Sequence, residues 1–372
     1  MCSIFGVTAW QLLLNGYAYH TLVNDLVISS RALHAHEMLF GFGATVAVGF
    51  ILTAAQTWTN LPGLKGAPVA GLVVIWLAVR VCLYLGGEPL FITAIIAQAV
   101  WWLSAIAVFS RMVIKARNKR NYLFVPVLSI LMLLNLSLLF FELINRTDLT
   151  MHLARTSVLM FCVLMGIVGG RVIPFFTSSG TRISVVSSSK PLSVLVLVAS
   201  LLGATAFFLA FFVQLPFSPA VLMVLSGLLH LARLAFWRTT STFNIPLLWS
   251  LHLSYAAMGL GLIALGSSYF VTKLAFVDAL HLITIGAMGL MIFAMMSRVS
   301  LGHTGRALVT SKLINWSFLA IFVSALVRAS LPLFDMHTYG WNLSSWLWVG
   351  AGAAFLWVYI PILSSPKRNR PY

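Results

Sequence analysis

Residues 31–50 read RALHAHEMLFGFGATVAVGF. Arg31, His34, His36 and Glu37 stand directly before a run, Met38 to Trp58, that is long and apolar enough to cross a bilayer as a helix. About 20 such residues span the hydrocarbon core. Ionisable groups at the edge of a span are costly to place and tend to mark a site. This one stretch therefore carries two expectations: the chain lives in a membrane, and its histidines have a task there.

The rest of the chain repeats the pattern. Of 372 residues, 60% are hydrophobic and 8% charged, and the mean hydropathy is +1.00. No soluble domain averages that apolarity. Apolar runs fall near 4–19, 38–58, 67–86, 90–113, 123–144, 151–177, 191–213, 217–238, 245–268, 273–297, 313–334 and 342–364. The fold class is all-α: a polytopic helical membrane protein of about 12 spans, forming a single membrane domain over residues 1–372. The opening MCSIFGVTAWQLLLNGYAY has neither a basic n-region nor a small-residue cleavage site, so it reads as a first span rather than a signal peptide. The link at 86–90 is so short that spans three and four must form a hairpin.

Charge sets the orientation. Seventeen basic residues, from Lys65 through the cluster Arg111, Lys115, Arg117, Lys119 and Arg120 to Arg370, fall on one side of this arrangement. Arg31, Arg146, Lys273 and Arg328 fall on the other, with all seven acids, while Arg80 and Arg155 lie inside spans. The basic side is cytoplasmic, which places both termini in the cytoplasm and requires an even number of spans. The net charge of +16 is thereby accounted for without nucleic acid as a partner. Cys2, Cys82 and Cys162 form no C-x-x-C or C-x-x-C-H, which excludes covalent c-type haem. Cys82 and Cys162 read as packing residues.

The histidines then become informative. His34, His36, His152 and His281 lie near the outer ends of spans two, six and ten. His230 and His252 lie inside spans eight and nine, each about 10–12 Å from the cytoplasmic end at 1.5 Å per residue. His20 and His337 fall in outer loops and His303 in a cytoplasmic one. A single intramembrane histidine is ordinarily a hydrogen-bonded packing residue, but several at matched depths point to a bound metal or haem. Two soluble motifs fail here. HEMLF has Phe40 where a zinc-protease H-E-x-x-H needs its second histidine, and a barrel-type H-x-H pair needs a strand. In a helix His34 and His36 point about 200° apart, so one ligates while the other packs, or His34 lies in an extended approach. Glu37 either orients an imidazole or is an acid favoured at a helix N-terminus.

Spans two, six and ten each begin with a histidine (His36, His152, His281) and end in a polar exit, at intervals of about four spans. That suggests three pseudo-repeated four-helix units, similar to the plan of the haem-copper oxidase catalytic subunit. The oxidase's paired histidines and H-P-E-V-Y segment are absent from this sequence. Gly41, Gly43 and Gly49, Gly166, Gly169 and Gly170, and Gly286 and Gly289 permit close helix contact or room for a flat cofactor. Trp58, Trp101, Trp102, Trp237, Trp316, Trp346 and Trp348 read as interface anchors, and Pro174 as the stop of span six.

HAHEMLFGFGATVAVGFILTAAQTWTN (34–60), GGRVIPFFT (169–177), LLWSLHLSYA (247–256), LHLITIGAMG (280–289) and SRVSLGHTGR (297–306) resemble, in order and in placement, the signature segments of the NnrS family. The resemblance covers about residues 31–310, whereas the opening MCSIFGVTAW replaces a longer, Phe- and Arg-bearing first segment usual in the family. It implies a bacterial inner-membrane protein that binds haem, with copper as an optional second metal, and acts in nitric oxide metabolism and resistance to nitrosative stress, often alongside denitrification. Nitric oxide or a nitrosylated iron species would be its partner, with an electron donor unspecified. It points to His34, His36, Glu37, Arg171, His252, His281, Arg298, His303 and Arg306.

On this reading a non-covalent, b-type haem is held by His281 with His36 or His34, with His252 and His230 as a second site and His303 as a further metal candidate. Arg171, Arg298 and Arg306 either follow the positive-inside bias or hold carboxylates such as haem propionates. The competing reading is a 12-span secondary transporter for a small anion or metal chelate, in which Arg80 or Arg155 meets the substrate.

Overall fold

Within a bilayer a backbone must satisfy its own N–H and C=O groups, and a helix does so within one segment. In the computed structural model, which describes residues 27–184 and 189–367, every regular element is helical. The helices are α1 (Ser30–Thr59), α2 (Ala67–Leu85), α3 (Glu88–Lys115), α4 (Phe124–Leu143), α5 (Thr147–Thr181) and α6 (Lys190–Leu209). They continue with α7 (Pro219–Ala235), α8 (Pro246–Ser267), α9 (Phe276–His303), α10 (Lys312–Ser330) and α11 (His337–Ser364). Among the described residues ten are long and apolar enough to cross a membrane, and α7, at 17 residues, is the shorter exception. The expected run at 4–19, with His20 and Cys2, lies outside the described residues.

The boundaries follow from local chemistry. Ser29, Ser189, Ser218 and Ser311 each accept a hydrogen bond from a backbone N–H in the first turn of α1, α6, α7 and α10. Proline occupies the first turn of α2, α3, α6, α7 and α8, where its missing N–H costs nothing. Gly86 and Gly87, at φ +79° and +82°, make the turn between α2 and α3, which pack as the expected hairpin. Gly305, at φ +72°, ends α9: the Arg306 N–H reaches back to Leu301 O at 2.9 Å, a Schellman stop.

Several sequence readings need correction. Pro174 does not end its helix; α5 runs on to Thr181. Beyond Pro174, Thr177 Oγ1 donates to Ile173 O at 2.8 Å and Thr181 Oγ1 to Thr177 O at 2.7 Å. His34 lies within α1 rather than in an extended approach, because Ser29 caps the helix five residues earlier. Trp101, Trp102, Trp237 and Trp348 are buried in the helix packing rather than placed as surface anchors, whereas Trp316 and Trp346 are exposed. Trp102 can sit inside because its indole N–H donates to Asn135 Oδ1 at 2.9 Å.

Two helices depart from α geometry at corresponding places. α1 winds into a π-helical segment over Glu37–Ala44, and α9 does so over Leu282–Gly289. Each begins one residue after a histidine and has a glycine five residues beyond it, Gly41 and Gly286.

The chain divides into two compact units, one running to Met160 and the other from Phe161 onward. In the first, α3 packs against α1, α2 and α4. In the second, α7 lies between α6 and α8, α8 lies against the π segment of α9, and α10 packs on that segment and on α11.

Candidate functional site

In the first unit, α1 presents His36 completely buried, with Glu37 beside it at 1% exposure. Glu37 Oε1 stands 3.0 Å from His36 Nδ1, and Arg80 Nε from α2 donates to Glu37 Oε2 at 3.1 Å. A carboxylate only accepts, so Nδ1 carries the ring proton. The other ring nitrogen, Nε2, is buried and has no hydrogen-bond partner among the described residues. Arg80 is fixed in turn: Nη1 donates to Trp76 O at 2.9 Å, and its Cζ lies 4.5 Å from the centroid of the Trp76 ring. Trp76 Nε1 closes the loop by donating to Gly41 O, at 3.0 Å, inside the π segment. Gly41 leaves room for this pair: a Cβ there would lie 2.6 Å from Arg80 Nη2 and 2.8 Å from Glu37 Oε2, so both side chains would have to shift. His34, two residues back, is only half-buried.

In the second unit, His281 at the head of the other π segment is half-buried, and its Nδ1 donates to Val277 O at 2.6 Å. That bond also leaves Nε2 as the lone-pair nitrogen. Three residues earlier Asp278 is buried and ion-paired with Arg328 of α10, whose guanidinium lies 5.1 Å from the Trp341 ring. Acid, arginine and tryptophan thus accompany both histidine-led π segments.

His230 and His252 are built differently. His230 Nδ1 meets Tyr255 Oη at 2.8 Å, and its Nε2 meets Ser200 Oγ at 3.2 Å, which continues to Ser226 Oγ at 2.8 Å. His252 Nε2 meets Thr177 Oγ1 at 2.8 Å and its Nδ1 meets Thr239 Oγ1 at 3.0 Å. Both nitrogens of both rings face hydroxyls, so a metal at either would have to displace one. The glycines of α5 make room for this cluster. A Cβ at Gly166 would lie 2.8 Å from the His230 ring, one at Gly169 3.1 Å from Tyr255, and one at Gly170 2.0 Å from Arg233. Arg233 Nη1 donates to Gly166 O at 2.9 Å. These three glycines serve close helix contact, the first of the two roles open to them from sequence.

The remaining candidates are scattered. Arg298 lies 3.7 Å above the Phe176 ring. Arg171 and Arg306 are half-buried, and His303 is exposed at the last turn of α9. Sequence reasoning named His36 and Glu37 but left Arg80 to a substrate and passed over Trp76, Asp278 and Arg328. A lone arginine and a tryptophan four residues apart in an apolar run were the available signal for the first pair.

Helices of this length and apolarity, one of them carrying a buried imidazole oriented by a carboxylate, define a multi-helical membrane protein. The chain matches the family model described as NnrS protein over residues 1–367, and it belongs to that family. No curated protein matches it.

Proposed function

We propose that this is an integral inner-membrane haem protein of nitric oxide metabolism that protects against nitrosative stress, with both termini cytoplasmic. The observation that carries the proposal is His36: Nδ1 is held by a carboxylate while a fully buried Nε2 has no partner among the described residues. Metal-ligating histidines characteristically donate their second ring nitrogen to a carboxylate or carbonyl, and an unmet polar atom in a bilayer interior is costly unless something fills its place. His281 resembles it in one respect only: its Nδ1 donates to a backbone carbonyl. His36 in the first unit and His281 in the second are each candidates to ligate a non-covalent, b-type haem, with copper as a further metal. When bound, the iron supplies a position at which nitric oxide coordinates.

The chain's own residues do the rest. Glu37 and Val277 O fix the two imidazole rings. Nitric oxide, being small and uncharged, would reach the site through lipid. The π segments after His36 and His281 relate two of the three helices of the expected repeat; α5, which carries His152, is α-helical throughout. His230 and His252 act as packing residues. A transporter would turn Arg80 or Arg155 toward an anionic substrate; the Arg80 Nε is held by Glu37, and its Nη1 by Trp76 O.

A reduced-minus-oxidised spectrum of the detergent-purified protein, repeated with nitric oxide and paired with metal analysis, tests the proposal. A Soret band that shifts with nitric oxide and disappears in His36→Ala is the expected outcome. A colourless, metal-free protein after expression with ample haem and copper would overturn it.

A further inference from the structure

A buried ion pair in a membrane interior needs a reason. Charges taken out of water are costly even when paired, and apolar residues of similar volume are often as stable or better. Arg80 and Glu37 are 6% and 1% exposed, and both lie in membrane-spanning helices. Their geometry supplies the reason. Arg80 Nε occupies Oε2, which leaves Oε1 turned to His36 Nδ1. The guanidinium is itself anchored at Trp76 O and over the Trp76 ring, and the Trp76 indole is tied back to Gly41 O. The carboxylate therefore has one orientation, and α2 imposes it on α1.

We propose that Arg80 is a positioning residue for His36. It holds the Glu37 carboxylate, an acceptor only, against Nδ1, and the pair thereby locks the ring as the Nδ1–H tautomer and reserves the Nε2 lone pair for a metal. The purpose assigned to this lock rests on the metal-ligand reading of His36, whereas the tautomer is a property of the metal-free chain. Without the pair nothing dictates the tautomer. An amide at position 37 can present either its carbonyl or its NH2 to Nδ1, and with the NH2 turned inward the ring carries its proton on Nε2, where it blocks a metal.

The test uses the full-length protein labelled with 15N-histidine, purified without metal in detergent. Long-range 1H–15N correlations report which ring nitrogen is protonated, and the His36 signal is the one missing in His36→Gln. The variant is the double change Arg80→Met/Glu37→Gln, which removes both charges together and so leaves no lone buried ion to unfold the chain. Its size-exclusion profile and helicity establish that it is folded. The wild type is expected to show the Nδ1–H form and the double variant a mixture or the Nε2–H form. Ferric haem titrated into the two proteins is expected to bind about 10–100-fold more weakly to the variant.

A wild-type Nε2–H signal, or an Nδ1–H form that persists in the folded variant, overturns the lock. A tautomer that shifts as expected in a protein that takes up no haem supports the lock and overturns its purpose, and with it the haem reading of the site.

Discussion

Whether a histidine here is a ligand or a packing residue turns on where its second ring nitrogen goes. His36 has one nitrogen on a carboxylate and the other on nothing described, whereas His230 and His252 have hydroxyls at both. The two kinds should fail differently. His36→Ala is expected to abolish the haem Soret band and leave the helical content unchanged. Tyr255→Phe, which removes the hydroxyl from His230 Nδ1, is expected to keep the chromophore and lower stability by about 0.6–1.7 kcal/mol, the range for hydrogen bonds between membrane helices. Absorbance and thermal unfolding of each variant decide this; a lost Soret band in Tyr255→Phe would make His230 a ligand rather than a packing residue. Glycine offers a second contrast. Gly41→Ala drives a methyl against Arg80 Nη2 and Glu37 Oε2 and is expected to cost about 1–3 kcal/mol, together with much of the haem. Gly49→Ala meets no heavy atom within 4 Å and is expected to be neutral or stabilising by up to about 1 kcal/mol.

At the scale of elements, the π segments after His36 and His281 are what sequence alone could not supply. A wide turn leaves no trace in an apolar run, because every position there is apolar whatever the helix period. The shared His-x4-Gly spacing was visible, but its meaning was not. The same limit shows at Pro174: its stop signal is local, while α5 continues to Thr181 and sets Thr177 Oγ1 against His252 Nε2 of α8, a partner 75 residues away. It also explains the tryptophans, since an indole reads as an interface anchor until an acceptor such as Asn135 is found inside. Glu37 was legible as one of two alternatives because it adjoins a histidine, whereas Arg80, 43 residues away, becomes its partner only once α1 and α2 pack. Deleting Phe42 from the first π segment tests its role. Removing one residue turns the chain before it by about 100° relative to the chain after it, so His36 and Glu37 leave the face that meets Arg80. The span is expected to insert normally, by protease protection, and the haem to be lost; a deletion that retains full haem would make the π segment incidental.

For the whole molecule, composition alone dictated a helical membrane protein, and each expected run that falls among the described residues coincides with a helix. Orientation is the inference that most depends on every helix crossing, and α7 is where it is exposed. Its 17 residues rise about 25 Å at 1.5 Å each, against a hydrocarbon core of about 30 Å. Its flanks make up the difference: Phe217 precedes the Ser218 cap, and Phe236 and Trp237 follow before Arg238. Arg233 and Arg238 at the C-terminal end face a connection toward α6 that carries no charge between Leu209 and Pro219, so the charge bias places 210–218 outside and 238–245 in the cytoplasm. Alkaline phosphatase fused after Leu215 is therefore expected to be active and a fluorescent protein there dark, with the reverse after Thr240. Equal behaviour at the two positions would mean that α7 does not cross. The helices beyond it would then invert, and His281 would move to the face opposite the one the charge bias assigns.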